Sequence, residues 1–170
     1  MNKHYERYLR EKYKPLYERL SWGFAIGDGW FNIINTLSAR LCSDWLHAKY
    51  EYDEIASRIG QPEFEGQKVD TWNPIITQNM VDRRFAKMNE AYETIPRAIQ
   101  VKEKFGGLRF YMNGGTESHN AFVSFAESMS DRTCEVCGER GKRRGGGWIR
   151  TLCNKHEAEH QVKLKERDNE

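Results

Sequence analysis

The sequence predicts an α+β fold, in which a helix-rich N-terminal part packs on a β-hairpin and a small C-terminal module is organised by cysteine and histidine. Three observations predict it. Apolar residues recur at helical spacing from Trp30 to Ile59, two β-rich runs flank Gly106-Gly107, and three cysteines and a histidine share the segment CEVCGERGKRRGGGWIRTLCNKH. A chain of 170 residues can bury roughly 70% of its unfolded surface, enough for a real core. We divide it into a helical and hairpin domain, 1–133, and a terminal module, 134–170. Charged residues reach 31% and hydrophobic ones 38%, with aromatics at 12%, so the core must lean on rings rather than on long aliphatic runs.

Residues 2–20 read as a helix with Tyr5, Tyr8, Leu9, Leu16 and Tyr17 near a helical repeat, and Pro15 at a kink or break. SWGFAIGDGWF follows. Gly23, Gly27 and Gly29 break any helix there and gather Trp22, Phe24, Trp30 and Phe31 around a turn. That turn reads as aromatic core, or alternatively as the wall of a ligand pocket with Asp28 at its lip. Trp30, Ile34, Leu37, Leu41, Trp45, Ala48, Tyr52, Ile55 and Ile59 then predict one long helix with Cys42 buried beside its stripe, ended by Gly60 and Pro62. QPEFEGQKVDTWN is a polar connector, and a second helix is expected from Pro74 to Tyr92.

RAIQVKEKFGGLRFYMNGG is the hairpin. Gly106-Gly107 suits a two-residue type I′ turn, which opposes Phe105 to Leu108 and Lys104 to Arg109. Alternation sends Ile99, Val101, Phe105, Leu108, Phe110 and Met112 to one face, and Gln100, Lys102, Lys104, Arg109 and Tyr111 to the other. Like charges opposed across a ladder are unfavourable. The cations therefore either splay into solvent and meet acids from elsewhere, or form with the Tyr111 hydroxyl an anion-binding face. A shorter helix from Glu117 to Met129, capped by Thr116, carries Ala121, Phe122, Phe125, Ala126 and Met129 on one side.

In the terminal module, C-x2-C and C-x2-H stand fifteen residues apart. Each short spacing lets two side chains converge on one ion, and three soft thiolates with one imidazole predict tetrahedral Zn²⁺ on Cys134, Cys137, Cys153 and His156. Four protein ligands leave no open position, so the zinc is expected to be structural and no catalytic residue is assigned. His160, one turn beyond His156, is the alternative fourth ligand. Gly138 permits a knuckle turn, GWIRTL is a strand, and a helix starts near the second pair. This order of elements resembles treble-clef zinc fingers. Arg140, Lys142, Arg143, Arg144 and Arg150 surround an adaptable tip at Gly145 to Gly147 and suit contact with a polyanion, or else offset the negative charge of a zinc–thiolate centre. After His156 the chain is helical in propensity but almost wholly charged, and is expected to fray.

The segments GDGWFNIINTL, IQVKEKFGGLRFYMNGG and TCEVCGERGKRRGGGWIRTLCNKH, in that order, resemble a family of small, mostly uncharacterised proteins of tailed bacteriophages and prophages. The resemblance covers about two thirds of the chain and implies a phage setting, where such proteins are commonly accessory factors acting on host machinery or host defence. It supplies no activity.

The residues argue against an enzyme: there is no nucleophile motif, phosphate loop or paired-carboxylate signature, and an active centre would need His47, His119 and Asp28 to converge. A net charge of +2 is too small to imply nucleic acid by itself, so the case rests on where the cations lie. The expectation is a zinc-binding accessory protein that binds nucleic acid or the host's nucleic-acid machinery. The alternative is an anti-defence protein that inhibits a host immune protein or sequesters a signalling nucleotide, held by Lys102, Lys104, Arg109 and Tyr111 near Trp22 or Trp30. No stretch approaches the roughly 18 apolar residues of a membrane span, and MNKHYERYLREKY holds no signal-peptide core, which predicts a protein of the host cytoplasm without a membrane partner.

Overall fold

A computed structural model describes residues 1–145 and 147–168. Gly146, in the tip read as adaptable, and the last two residues of the fraying end lie outside the described residues. The architecture is α+β, with seven α-helices and two small sheets among the described residues. The chain forms two compact units, one of Met1–Leu41 with Pro96–Glu170 and one of Cys42–Ile95.

In the first unit, α1 (Lys3–Lys12) is capped by Asn2, whose side-chain oxygen accepts from the Tyr5 amide. At Tyr13 the backbone leaves helical space, and α2 (Lys14–Tyr17) restarts with Pro15 in its first turn, where a missing N–H costs nothing. Leu9, Tyr13, Leu16 and Tyr17 are buried. The Tyr13 hydroxyl donates to Asn35 Oδ1 at 2.8 Å, so a buried ring still satisfies its polar end.

β1 (Phe24–Ala25) runs parallel to β2 (Arg97–Lys104), which pairs antiparallel with β3 (Gly107–Asn113). Val101, Leu108 and Phe110 enter the core together with Trp30 and with Ile34 and Leu37 of α3 (Phe31–Leu41). The outer edge of β3 is closed by α6 (Glu117–Ser130): Ser130 Oγ accepts from the Leu108 amide at 2.8 Å and Glu127 Oε1 from the Phe110 amide at 3.0 Å. Thr116 caps α6 as expected, with His119 completing a capping box.

Three expectations are corrected. The stripe from Trp30 to Ile59 is not one helix: Cys42 (φ −108°, ψ 11°) separates α3 from α4 (Ser43–Ala56). The Cys42 carbonyl still accepts from the Leu46 amide, so the apolar period carries through the break and hides it. α5 spans Gln78–Thr94 rather than starting at Pro74, because Ile76 is buried in an extended segment that exchanges backbone bonds with Gly60 and Gln61.

The third correction is the hairpin turn. Lys104 pairs with Gly107, so the two loop residues are Phe105 (φ 54°) and Gly106 (φ 73°), and the cation opposed to Arg109 is Lys102, not Lys104. The register moves by two residues, so every pair changes, but alternation leaves the residues of Gln100 to Lys104 and of Leu108 to Met112 on their expected faces. Two apolar residues nevertheless leave the core: Phe105 sits exposed in the turn, and a bulge between Ala98 and Gln100 turns Ile99 outward and Ala98 inward.

The second unit pairs α4 with α5 around Ile55, Ile76 and Val81, with Tyr52, Ala56 and Met80 packed against them. Between the helices, buried Asn73 holds the connector by accepting from the Phe64 amide at 2.7 Å and donating to the carbonyls of Phe64, Gln67 and Lys68. The stretch read as a polar connector is thus ordered around one amide side chain.

Candidate functional site

Cys134 and Cys137 lie on a tight knuckle. Gly138 (φ 81°) turns the chain back, and its amide donates to the Cys134 carbonyl at 2.9 Å. A short hairpin of β4 (Lys142–Arg144) and β5 (Arg150–Leu152) leads to Cys153, and α7 (Asn154–Asp168) places His156 in its first turn. The four ligand atoms lie within 4.8 Å of one another. Sγ of Cys137 and Cys153 are 3.9 Å apart, and Nδ1 of His156 is 3.5 Å from Sγ of Cys134 and 3.2 Å from Sγ of Cys153. A tetrahedral ion with bonds of about 2.3 Å to sulfur and about 2.0 Å to nitrogen has edges of roughly 3.5–3.8 Å, so these residues fit one. No disulfide joins them, and they could hold a metal ion. His160 is not in this group and lines a separate cavity with Glu103, Trp148 and Arg150.

Electrostatics favour thiolates at two of the positions. Burial pushes the Cys134 thiol upward but is outweighed by the amides of Cys153, Cys137 and Val136, which leave it below its usual value. The His156 amide lowers Cys153, while burial raises Cys137.

The knuckle is held from behind by the GDGW segment. The Gly29 amide donates to the Glu135 carbonyl at 2.9 Å, and Trp30 Nε1 donates to the Thr133 carbonyl at 2.8 Å. A Cβ on Gly29 would come within 2.1 Å of the Cys134 carbonyl oxygen. These glycines let backbone meet backbone, and the Asp28 carboxylate is engaged locally: it accepts from the Asn2 amide and side chain at 2.6 and 2.8 Å. Glu135, between the two cysteines, is buried and receives both Nε and Nη2 of Arg150 at 2.5 Å. Glu135 was not singled out in the sequence, and Gly29 and Trp30 were read only as part of an aromatic turn or pocket wall, so their contact with the knuckle was missed. The one available signal was a pair of glycines beside a tryptophan.

The hairpin tip docks on the same module. Thr151 Oγ1, buried in β5, donates to the Gly106 carbonyl at 2.6 Å. Thr151 pairs with Arg143 across β4–β5, so Arg143 shares its side of that ladder. On the hairpin, Gln100, Lys102, Lys104, Gly107, Arg109 and Tyr111 share one face. A Cβ on Gly107 would point from that face into 3.0 Å contact with Asp131 Oδ1, 3.1 Å with Arg143 Nη2 and 3.2 Å with Arg109 Nη1. Two guanidiniums from separate segments therefore converge above Gly107. Asp131 pairs with Arg143 at 2.8 Å and Glu127 reaches Arg109 at 3.9 Å, while Lys102 and Lys104 make no ion pair with a described residue. Their ammonium groups lie 5.7 Å from the Tyr111 ring and 5.4 Å from the Phe105 ring.

The remaining cations of the finger loop do not join this face as a group. Arg150 is engaged by Glu135, and Arg144 donates to Asn154 Oδ1 at 2.7 Å. Arg140 and Lys142 are exposed and make no ion pair with a described residue. Trp30, buried, is not available to stack on a ligand. His47 reaches Glu51 one turn along α4, His119 belongs to the α6 cap and Asp28 to the start of α1, so each has a local role. Among the described residues no helix is long and apolar enough to cross a membrane. Comparisons of the chain with protein-family models, with curated proteins and with solved structures find no match.

Proposed function

We propose that this chain is a non-enzymatic, zinc-stabilised protein that binds a polyanion, nucleic acid foremost, through the hairpin face and the adjoining β4. The observation that carries the reading is the convergence of Arg109 and Arg143 over Gly107, on the face that bears Lys102 and Lys104. Four cations against two carboxylates leave that surface positive, and paired guanidinium forks match phosphate oxygens in a way that dispersed lysines do not. Zinc suits the set of three thiolates and one imidazole, and when bound it would supply a fixed tetrahedral junction between knuckle, β5 and α7. The knuckle, the β4–β5 hairpin and the ligand-bearing first turn of a helix support a treble-clef reading of the module. With all four positions taken by protein, its role is to hold β4 beside the hairpin.

The phage setting is part of the same proposal: a small host-directed factor of the cytoplasm that acts by occupancy. A second reading, inhibition of a host immune protein, draws on the groove of about 530 Å³ between α3 and α6, where Phe122, Phe125 and Met129 stand open beside Ile33 and Arg40. A signalling nucleotide would use the cationic face itself. Equilibrium binding of labelled DNA and RNA oligonucleotides at low salt tests the first reading. Binding should be present, and a Lys102→Gln/Lys104→Gln variant should lose most of it with metal content and melting temperature retained. No binding at low salt rejects the nucleic-acid reading and favours the host protein.

A further inference from the structure

Phe105 is anomalous on two physical counts. Its φ of 54° lies in the left-handed region that costs an ordinary L-residue stability and that asparagine or glycine fills more readily at a type I′ turn. Its ring, at 62% exposure, is also among the most open of the large apolar side chains. Neither the turn nor the core benefits from a phenylalanine there. A residue held against both local preferences points to a use outside the fold.

Its surroundings say what the use is. The Lys104 ammonium lies 5.4 Å from the Phe105 ring centroid, and the same arrangement recurs at Tyr111, 42% exposed, with Lys102 at 5.7 Å. Tyr111 stands four residues from Gly107, which is about 14 Å along β3. Tyr111 thus lies on the cationic face, and Phe105 sits in the turn at the end of that face, beside Lys104, with Arg109 and Arg143 near Gly107 just beyond the turn. A duplex presents phosphates outside and keeps its bases stacked within, so it would meet the cations and leave the rings idle. A single strand offers both phosphates and open base faces, and base–aromatic stacking beside a basic track is how sequence-tolerant single-strand binders work.

We infer that the ligand class of this face is single-stranded nucleic acid, and that Phe105 and Tyr111 are its base-stacking platforms. The inference rests on the polyanion reading above and narrows it. DNA and RNA share the required chemistry, and the comparison of deoxy and ribo oligomers tells them apart.

The test compares the full chain with Phe105→Asn, Phe105→Tyr and Lys102→Gln/Lys104→Gln, using labelled oligo(dT), oligo(U), a DNA duplex and inorganic polyphosphate. Asparagine tolerates the left-handed turn, so Phe105→Asn should fold and melt at the same temperature or about 1–3 °C higher. Its affinity for the single strands should fall between about fivefold and a hundredfold. Its affinity for polyphosphate, which has no bases, should not change, and Phe105→Tyr should keep single-strand binding. Tyr111→Ser should weaken single-strand binding in the same way. Unchanged single-strand affinity in Phe105→Asn would overturn the stacking role, as would an equal fall for polyphosphate, since the ring would then merely place Lys104. A duplex bound as tightly as a single strand would overturn the choice of ligand. If the wild-type chain bound none of the four probes, the polyanion reading itself would fail. If a protein partner were lost with Phe105→Asn while every nucleic-acid affinity held, the ring would be a protein anchor and the inference would fall.

Discussion

The backbone takes a positive φ at Gly138 (81°) and at Phe105 (54°), and the chain fills the two positions in opposite ways. At the knuckle it uses glycine, as local energetics prefer, and a Cβ there would crowd the Gly29 carbonyl oxygen at 2.9 Å. At the hairpin tip it places a large ring where glycine would sit more easily, and leaves that ring in water. The knuckle is a region in which turn chemistry, packing and ligand geometry agree. The tip is one in which they do not, and where local rules are broken without a gain in packing the gain is to be sought in binding.

Breaking the knuckle should have the largest effect. On the zinc reading proposed above, chelation or Cys137→Ser should unfold the terminal module, because the binding energy of a structural zinc, on the order of 10 kcal/mol, is folding energy. Circular dichroism with metal analysis should show loss of structure and of about one zinc per chain together. Gly29→Ala comes next. Its methyl would press on the Cys134 carbonyl at 2.1 Å, a backbone clash worth about 3 kcal/mol or more. Gly145→Ala is the control, since Gly145, like Gly29, lies outside the positive-φ region but has open space around it. It should cost less than about 0.5 kcal/mol. Equal losses in the two melts would mean that the close approach of GDGW to the knuckle carries no energy.

At the hairpin the sign reverses and the size shrinks. Lys102 faces Arg109 across the ladder, so Lys102→Gln should raise stability by a few tenths of a kcal/mol, more at low salt than at high. A clear loss would show Lys102 paired internally rather than kept for a ligand.

The grouping of Cys134, Cys137, Cys153 and His156 was legible because each pair is close in sequence: two residues between cysteines, two between cysteine and histidine, are local facts. The hairpin was legible in existence and in its faces, but its turn was placed one residue late. Gly106-Gly107 looks like turn chemistry, whereas Gly107 belongs to β3, where side-chain ends of Asp131, Arg143 and Arg109 stand 3.0–3.2 Å from the place of a Cβ, a contact between distant segments. GDGW failed the same way. Its glycines suggested an irregular loop, and only the fold shows them pressed against the Cys134 and Glu135 carbonyls. The break at Cys42 was invisible because apolar period survives an interruption that preserves the repeat. Of the loop cations, Arg143 alone could be assigned to the hairpin face, since its partner across the ladder, Thr151, bonds to the hairpin tip.

The most direct test of the central claim, that one positive face gathered from hairpin and finger binds phosphate, is the salt dependence of single-strand affinity. With Lys102, Lys104, Arg109 and Arg143 engaged, the plot of log affinity against log salt should have a slope of about −2 to −3, near −0.7 for each phosphate contact. Lys102→Gln/Lys104→Gln should flatten it by about 1.4 while leaving the metal in place. A slope near zero in the wild-type chain, or one that the double substitution does not change, would contradict the account.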